Sequence, residues 1–306
     1  MMRAVRTDLA AEARELAGSH IPGIESTVSS EDEDIVVTRI RVLDEQGSRA
    51  MGKPPGLYIN IEAANLRDRD PELAERVSRC MAREMEELLP GLDKKATVLV
   101  VGLGNWNITP DALGPRVVSQ MMVTRHLIEL IPDQVDERVR SVCAMAPGVL
   151  GITGIETGEI ILGVVEKIKP AAMIAIDALA SRSTARLGTT IQISDTGICP
   201  GSGVGNSRME LNLATLGVPV ISIGVPLVVY AGTIARDVIE LMDGQLAGDK
   251  AEEMIQRVVS EHLGDLIVTP KEIDALVDDV ARTLSLGLNL VIHKGVTIDE
   301  IDRFMA

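Results

Sequence analysis

Thr97–Val101 (TVLVV) runs straight into Gly102–Pro115 (GLGNWNITPDALGP), and the reading of this junction decides the fold. A short aliphatic run ending in Gly-X-Gly reads as a strand closed by a tight turn. Thr109-Pro110-Asp111 then predicts a helix start, with a cap residue, a proline at the first helical position and an acid in the first turn. That helix is expected over Ala112 to about Leu130. The same alternation continues as a strand at Val139–Ala144, a helix at Glu156–Lys169 and strands at Ala172–Ile176, Thr189–Ile193 and Val218–Ile223. Strands alternating with helices predict an α/β protein whose central sheet is mostly parallel and covered on both faces.

Upstream, Ile35–Leu43 and Leu57–Ala63 alternate well enough to form a pair of strands, with Ser26–Asp34 and Gly47–Gly56 as loops. Pro71–Leu89 has apolar residues at helical spacing and is stopped by Pro90-Gly91. The last 75 residues read as mainly helical. The chain therefore divides into an N-terminal α+β segment over residues 9–95 and an α/β core with a helical tail over 96–306.

Composition limits what these layers can do. The chain has 306 residues, 46% of them hydrophobic, and only four are aromatic: Tyr58, Trp106, Tyr230 and Phe304. The core must be aliphatic, and stacking platforms for single-stranded nucleic acid are lacking. With 30 basic and 45 acidic residues the net charge is −15, which opposes contact with a phosphate backbone. Cys80, Cys143 and Cys199 form no CxxC pair, which argues for a reducing compartment and against a disulfide framework or a zinc site. The N-terminus lacks the apolar core of a signal peptide. Leu211–Ala235 is uncharged for 25 residues, but Pro219, Gly224, Pro226 and Gly232 interrupt it, so it reads as a buried strand and not a membrane span. A soluble, cytoplasmic protein is expected.

In an open parallel sheet, function gathers beyond the carboxyl ends of the strands. Asp111 falls there, although an acid in a first helical turn also has a purely structural reading as a partner of the helix dipole. Asp177 follows Ala-Met-Ile-Ala-Ile, where an acid is costly unless it is used or partnered, for instance by Arg182 or Arg186. If their strands are neighbours, the two carboxylates face one crevice. One would then hold a proton, giving an acid and a base able to activate water without a metal. Ile193–Arg208 (ISDTGICPGSGVGNSR) also reaches this end. Its single Asp195-Thr196-Gly197 is a chance likeness to pepsin-type proteases, which contribute one such motif from each half of a β protein. Gly201–Asn206 (GSGVGN) suits an anion nest but fits neither the dinucleotide fingerprint nor the P-loop. Asn105, Asp195, Ser202 and Arg208 are candidate supporting residues. Cys199 and Ser202 have no base in view, and His20, His126, His262 and His293 are scattered.

At GLGNWNITPDALGP the chain resembles the germination protease family of spore-forming bacteria, whose substrates are the small acid-soluble proteins that coat spore DNA. The likeness extends through Val5–Ala13 (VRTDLAAEA), Gly52–Arg67 (GKPPGLYINIEAANLR), Ala175–Ser183 (AIDALASRS) and Ser194–Arg208 (SDTGICPGSGVGNSR). The resemblance implies a three-layer α/β/α domain related in fold to hydrogenase maturation endopeptidases, a homotetramer, and an aspartic-type peptidase with Asp111 and Asp177 catalytic. The maturation enzymes add a histidine to hold nickel. None occurs between Asp177 and Arg208, so neither a metal nor a cofactor is expected. It further implies a zymogen that removes its own N-terminus after an acid followed by an apolar residue and Ala. Asp8-Leu9-Ala10 fits, with residues 1–8 as propeptide, while Val5 departs from the acid that family substrates carry three residues before the cleaved one. The expected setting is the spore core, with no direct contact to nucleic acid or membrane. The readings to be separated from this one are a metal-assisted peptidase using the same carboxylates and a nucleotide- or anion-binding regulatory module built on GSGVGN.

Overall fold

The computed structural model describes residues 7–18, 21–89, 96–200, 209–242, 263 and 266–305. From the amino end, α1 (Ala10–Ala17), β1 (Ile24–Ser30), β2 (Val36–Val42), α2 (Glu45–Met51), β3 (Gly56–Glu62) and α3 (Pro71–Glu86) come first. Then follow β4 (Val98–Gly102), α4 (Leu113–Ser119), α5 (Arg125–Leu130), β5 (Val142–Met145), α6 (Leu150–Thr153), α7 (Thr157–Ile168) and β6 (Ala172–Ser181). After β6 come β7 (Thr190–Ser194), α8 (Leu213–Leu216), β8 (Val220–Tyr230), α9 (Ala231–Met242) and β9 (Ile267–Val268). A long helix, Ile273–Ile292, and a short one, Ile298–Met305, complete the described chain.

All the strands belong to one sheet in the order β1-β2-β3-β7-β8-β6-β4-β5, with β9 on the end of β8. The expected α/β layering holds, but the sheet is mixed. β8, β6, β4 and β5 are mutually parallel, whereas β7 runs antiparallel to β8 and joins the antiparallel β3, β2 and β1. The cause is the short link Arg182–Thr189. A parallel crossover needs about a dozen residues or more, so a chain leaving β6 through this link can only come back antiparallel. The N-terminal α+β segment thereby becomes an extension of the core sheet.

Helices cover both faces. On one, the long helix lies against α3 and α4 and buries Val277, Val280, Ala281, Leu284 and Leu288 over Ile59, Ile174, Ile193 and Ile223. On the other face are two separate clusters. α7 packs Ile161 and Val165 over Leu99, Val101, Met173 and Ala175, while α1 and α2 cover Ile40, Val42 and Tyr58. The strip of sheet between these two clusters is polar.

Other differences have local causes. Ile24–Ser30, read partly as loop, forms β1 because its partner β2 supplies the backbone bonds that a polar sequence does not advertise. The helix expected from Ala112 to about Leu130 is broken into α4 and α5. Thr109-Pro110-Asp111 forms its own 3-10 turn before α4, and the Thr109 hydroxyl bonds Asp274 on the long helix at 2.8 Å instead of capping. The uncharged run Leu211–Ala235 holds the buried strand β8, and among the described residues no helix is long and apolar enough to cross a membrane.

His293, at the end of the long helix, is fully buried. Its Nδ1 accepts from Arg140 N at 3.2 Å and its Nε2 faces Met122 O at 3.3 Å, which suits the neutral ring protonated on Nε2. Burial holds its pKa down to about 4. Below the ordinary value of about 6.5 the unfolded chain takes up a proton that the folded chain refuses, so stability falls with pH across this window by up to about 3 kcal/mol. Denaturant melts between pH 7 and 4 should show a shallower acid loss for His293→Gln than for the parent; equal slopes would place the proton uptake elsewhere.

Candidate active site

The site is built where β4 stops and β6 does not. Gly102 is the last residue of β4 and lies opposite Ile176, and Leu103 N still donates to Ile176 O at 2.8 Å. The chain then turns back across its own strand. A Cβ on Gly102 would lie 2.2 Å from Gly114 O, so only glycine permits the close crossing that folds Leu103–Asp111 over the strand end. Within this loop Asn105 N donates to Asp111 O at 3.0 Å, Ile108 N to Asn105 O at 3.1 Å, and Asp111 N to Ile108 O at 2.8 Å. Asn105 is thus a loop-closing residue, its side chain accepting from Asn107 N at 3.0 Å. The closed loop sets the 3-10 turn carrying Asp111 against β6.

Asp177 is the next residue of β6 after Ile176, one step beyond the last pair with β4, and it pairs with Gly224 of β8. Only 9% of it is exposed, and Oδ1 accepts from Ala178 N at 2.9 Å. Asp111 and Asp177 therefore rise from the same crest, one on a turn packed against β6 and the other on β6 itself. The sheet register extends the polar strip sideways from Asp177. Gly224, Gln192 and Asn60 stand in line with it on β8, β7 and β3, and Ser222, Ser194 and Tyr58 form the next row. Asn60 is fully buried, and among the described residues neither its Oδ1 nor its Nδ2 has a hydrogen-bond partner.

Sequence reasoning missed Gln192. The signal was available, because Thr190, Gln192 and Ser194 alternate with Ile191 and Ile193 in a strand buried on both faces. Asp195 is not brought to the crest. β7 runs antiparallel, so Asp195 lies toward the amino ends of the parallel strands, where its Oδ1 accepts from Leu57 N at 2.8 Å. Ser202, Arg208 and the GSGVGN loop lie outside the described residues. Among the described residues no group of three or more His, Cys, Asp or Glu is placed to hold a metal ion.

The N-terminal junction also reaches this region. Asp8 N donates to Ala180 O at 2.9 Å, and Asp8 Oδ2 accepts from Ala180 N at 2.8 Å. Leu9 is fully buried. Asp8 and Leu9 are thus integral to the fold and sit three residues along β6 from Asp177.

The profile of one protein family, described as germination protease, matches residues 3–243 and 241–305. The chain belongs to the germination protease family. A germination protease of Caldanaerobacter subterraneus subsp. tengcongensis is 51% identical over 319 residues, covering 98% of each chain. One of Clostridium perfringens is 47% identical, covering 98% of this chain and 99% of its own. One of Bacillus cereus is 42% identical, covering 98% and 96%. Among solved structures, a NiFe hydrogenase maturation protease, HycI of Thermococcus kodakarensis, covers 67% of this chain and 98% of its own at 17% identity and a TM-score of 0.33. The germination protease family is a peptidase family.

Gly104 tests how tightly Asp111 is held. Its φ is +110°, and a Cβ there would lie 2.0 Å from Asp111 O and 3.1 Å from Asp111 Oδ1. Gly104→Ala should cost about 2 kcal/mol or more through strain and displace the turn. Thermal melts should show the loss, and peptidase activity should fall further than the melting temperature accounts for.

Proposed function

We propose that this chain is the endopeptidase that opens the degradation of small acid-soluble spore proteins during germination, with Asp111 and Asp177 activating water. The observation that carries the reading is that these two carboxylates share the crest where β4 ends and β6 continues. Two acids on one low-dielectric crest do not ionise together easily, so one carries a proton near neutral pH. The ionised member takes a proton from water as the oxygen attacks the scissile carbonyl carbon. The protonated member supplies a hydrogen bond to the developing oxyanion, and a proton then passes to the leaving nitrogen as the C–N bond breaks.

The chain is made as a zymogen that cuts itself between Asp8 and Leu9. The departure at Val5 and the burial of Leu9 both favour a slow cut. The enzyme works as a homotetramer in the cytoplasm of the spore core, without a metal or cofactor, and acts on a substrate that binds DNA without touching DNA or membrane itself. A net charge of −15 supports the last point.

Intact-mass spectrometry on the purified chain at mildly acidic and neutral pH, beside Asp111→Asn and Asp177→Asn, tests this. The parent should lose residues 1–8 and digest small acid-soluble protein. Both variants should keep full mass and a melting temperature within a few degrees of the parent, because Asn preserves shape. Activity retained in Asp111→Asn would sink the assignment.

A further inference from the structure

β6 outruns β4, and the amides left along that edge are all taken by carboxylates. Ala178 N donates to Asp177, Ala180 N to Asp8 at 2.8 Å, Arg182 N to Glu12 at 2.7 Å and Ser183 N to Glu12 at 2.9 Å. Two of the three acceptors come from the segment Thr7–Glu12. Glu12 is only 2% exposed, and Arg186 Nη1 lies 3.4 Å from it. The Asp8–Leu9 peptide is gripped separately. Lys53 Nζ donates to Asp8 O at 2.8 Å and Gln192 Nε2 donates to the same oxygen at 3.1 Å. Gln192 Oε1 accepts from Ala10 N at 2.6 Å, so one amide side chain bridges the backbone on both sides of the bond. Gln192 stands level with Asp177, two strands away across Gly224, a separation of about 10 Å between Cα atoms.

We propose that this edge of β6 is the substrate track of the enzyme and that Thr7–Glu12 occupies it as a substrate would. The track takes a peptide that is extended up to the cut bond and turns into a helix just after it, with an acid just before the cut, read by Ala180 N, and a second acid four residues after it, presented from the first helical turn and read by Arg182 N, Ser183 N and Arg186. Lys53 and Gln192 polarise the scissile carbonyl. As water adds to the carbonyl carbon, the negative charge moves onto the oxygen that both already hold. The C–N bond then breaks, the carbon keeps the water oxygen, and the nitrogen of the next residue leaves with the proton. The inference rests on the peptidase reading above and extends it to the residues that choose and polarise the bond. It also makes the N-terminal segment a competitor that must leave before a substrate can enter.

The test uses the full chain with Asp8→Ala and Glu12→Ala together, which frees the track, and a synthetic peptide VRTDLAAEA. Hydrogen exchange of residues 178–183 should slow at least fivefold when the peptide is added, and should not respond to the same peptide with both acids replaced by Ala. Equal protection by the two peptides, or none by either, overturns the track. In the same background the peptide should be cut between Asp and Leu, with Lys53→Met and Gln192→Met each lowering kcat about 100-fold and leaving KM within a fewfold. Cleavage indifferent to both substitutions overturns the carbonyl clamp. Protection of the edge without any cleavage would leave the track standing and sink the peptidase reading instead, so the two failures are distinguishable.

Discussion

Everything at the crest follows from an unequal pair of strands. β4 stops at Gly102 while β6 runs on to Ser181, and a strand that outlasts its neighbour presents unpaired backbone amides along one edge. Buried amides must find acceptors or pay a desolvation cost of roughly 1–3 kcal/mol each. In this chain side-chain carboxylates supply them, and a charged acceptor makes a bond worth about 1.5–3 kcal/mol. The edge thereby becomes a place that selects acids, whether they come from β6 itself or from the N-terminal segment.

The same constraint separates the two helix-covered patches described on that face. α7 covers an apolar patch over β4 and β6, and α1 covers another over β2 and β3. Between them Asp177, Gln192, Asn60, Ser194 and Ser222 form a polar strip that no apolar helix face could cover without stranding hydrogen-bonding groups. On the opposite face the described residues, with Ile59, Ile174, Ile193 and Ile223, form one apolar cluster covered by the long helix. One sheet thus has a stabilising face and a working face. Burial also lowers the Lys53 ammonium below its ordinary pKa, with Asp8 pulling the other way. A desolvated cation next to a carbonyl oxygen interacts more strongly than one in water.

Much of this is legible in the sequence. The aliphatic runs at TVLVV and AMIAI are recognisable because apolar periodicity is local, and Asp177, directly after the second, stands out against it. The Gly-Leu-Gly turn was readable too. What escaped were elements whose stability comes from elsewhere. β1 is polar and exists by pairing with β2. The break between α4 and α5 falls in a stretch whose local helical signals were good. Gln192 reads as an ordinary strand residue until the register puts it level with Asp177, and Asp195 reads as a candidate supporting residue until the antiparallel turn of β7 carries it the other way.

From its sequence alone, then, this chain determined its layers, its aliphatic core and its acidic balance, since composition and short-range periodicity carry all of these. The tertiary structure decided how far β6 extends past β4, which way β7 returns and which residues line up across four strands. Register and strand order are non-local. They depend on which apolar faces meet and on the length of links such as Arg182–Thr189, and no window of sequence contains both partners of a pair such as Asp8 and Ala180.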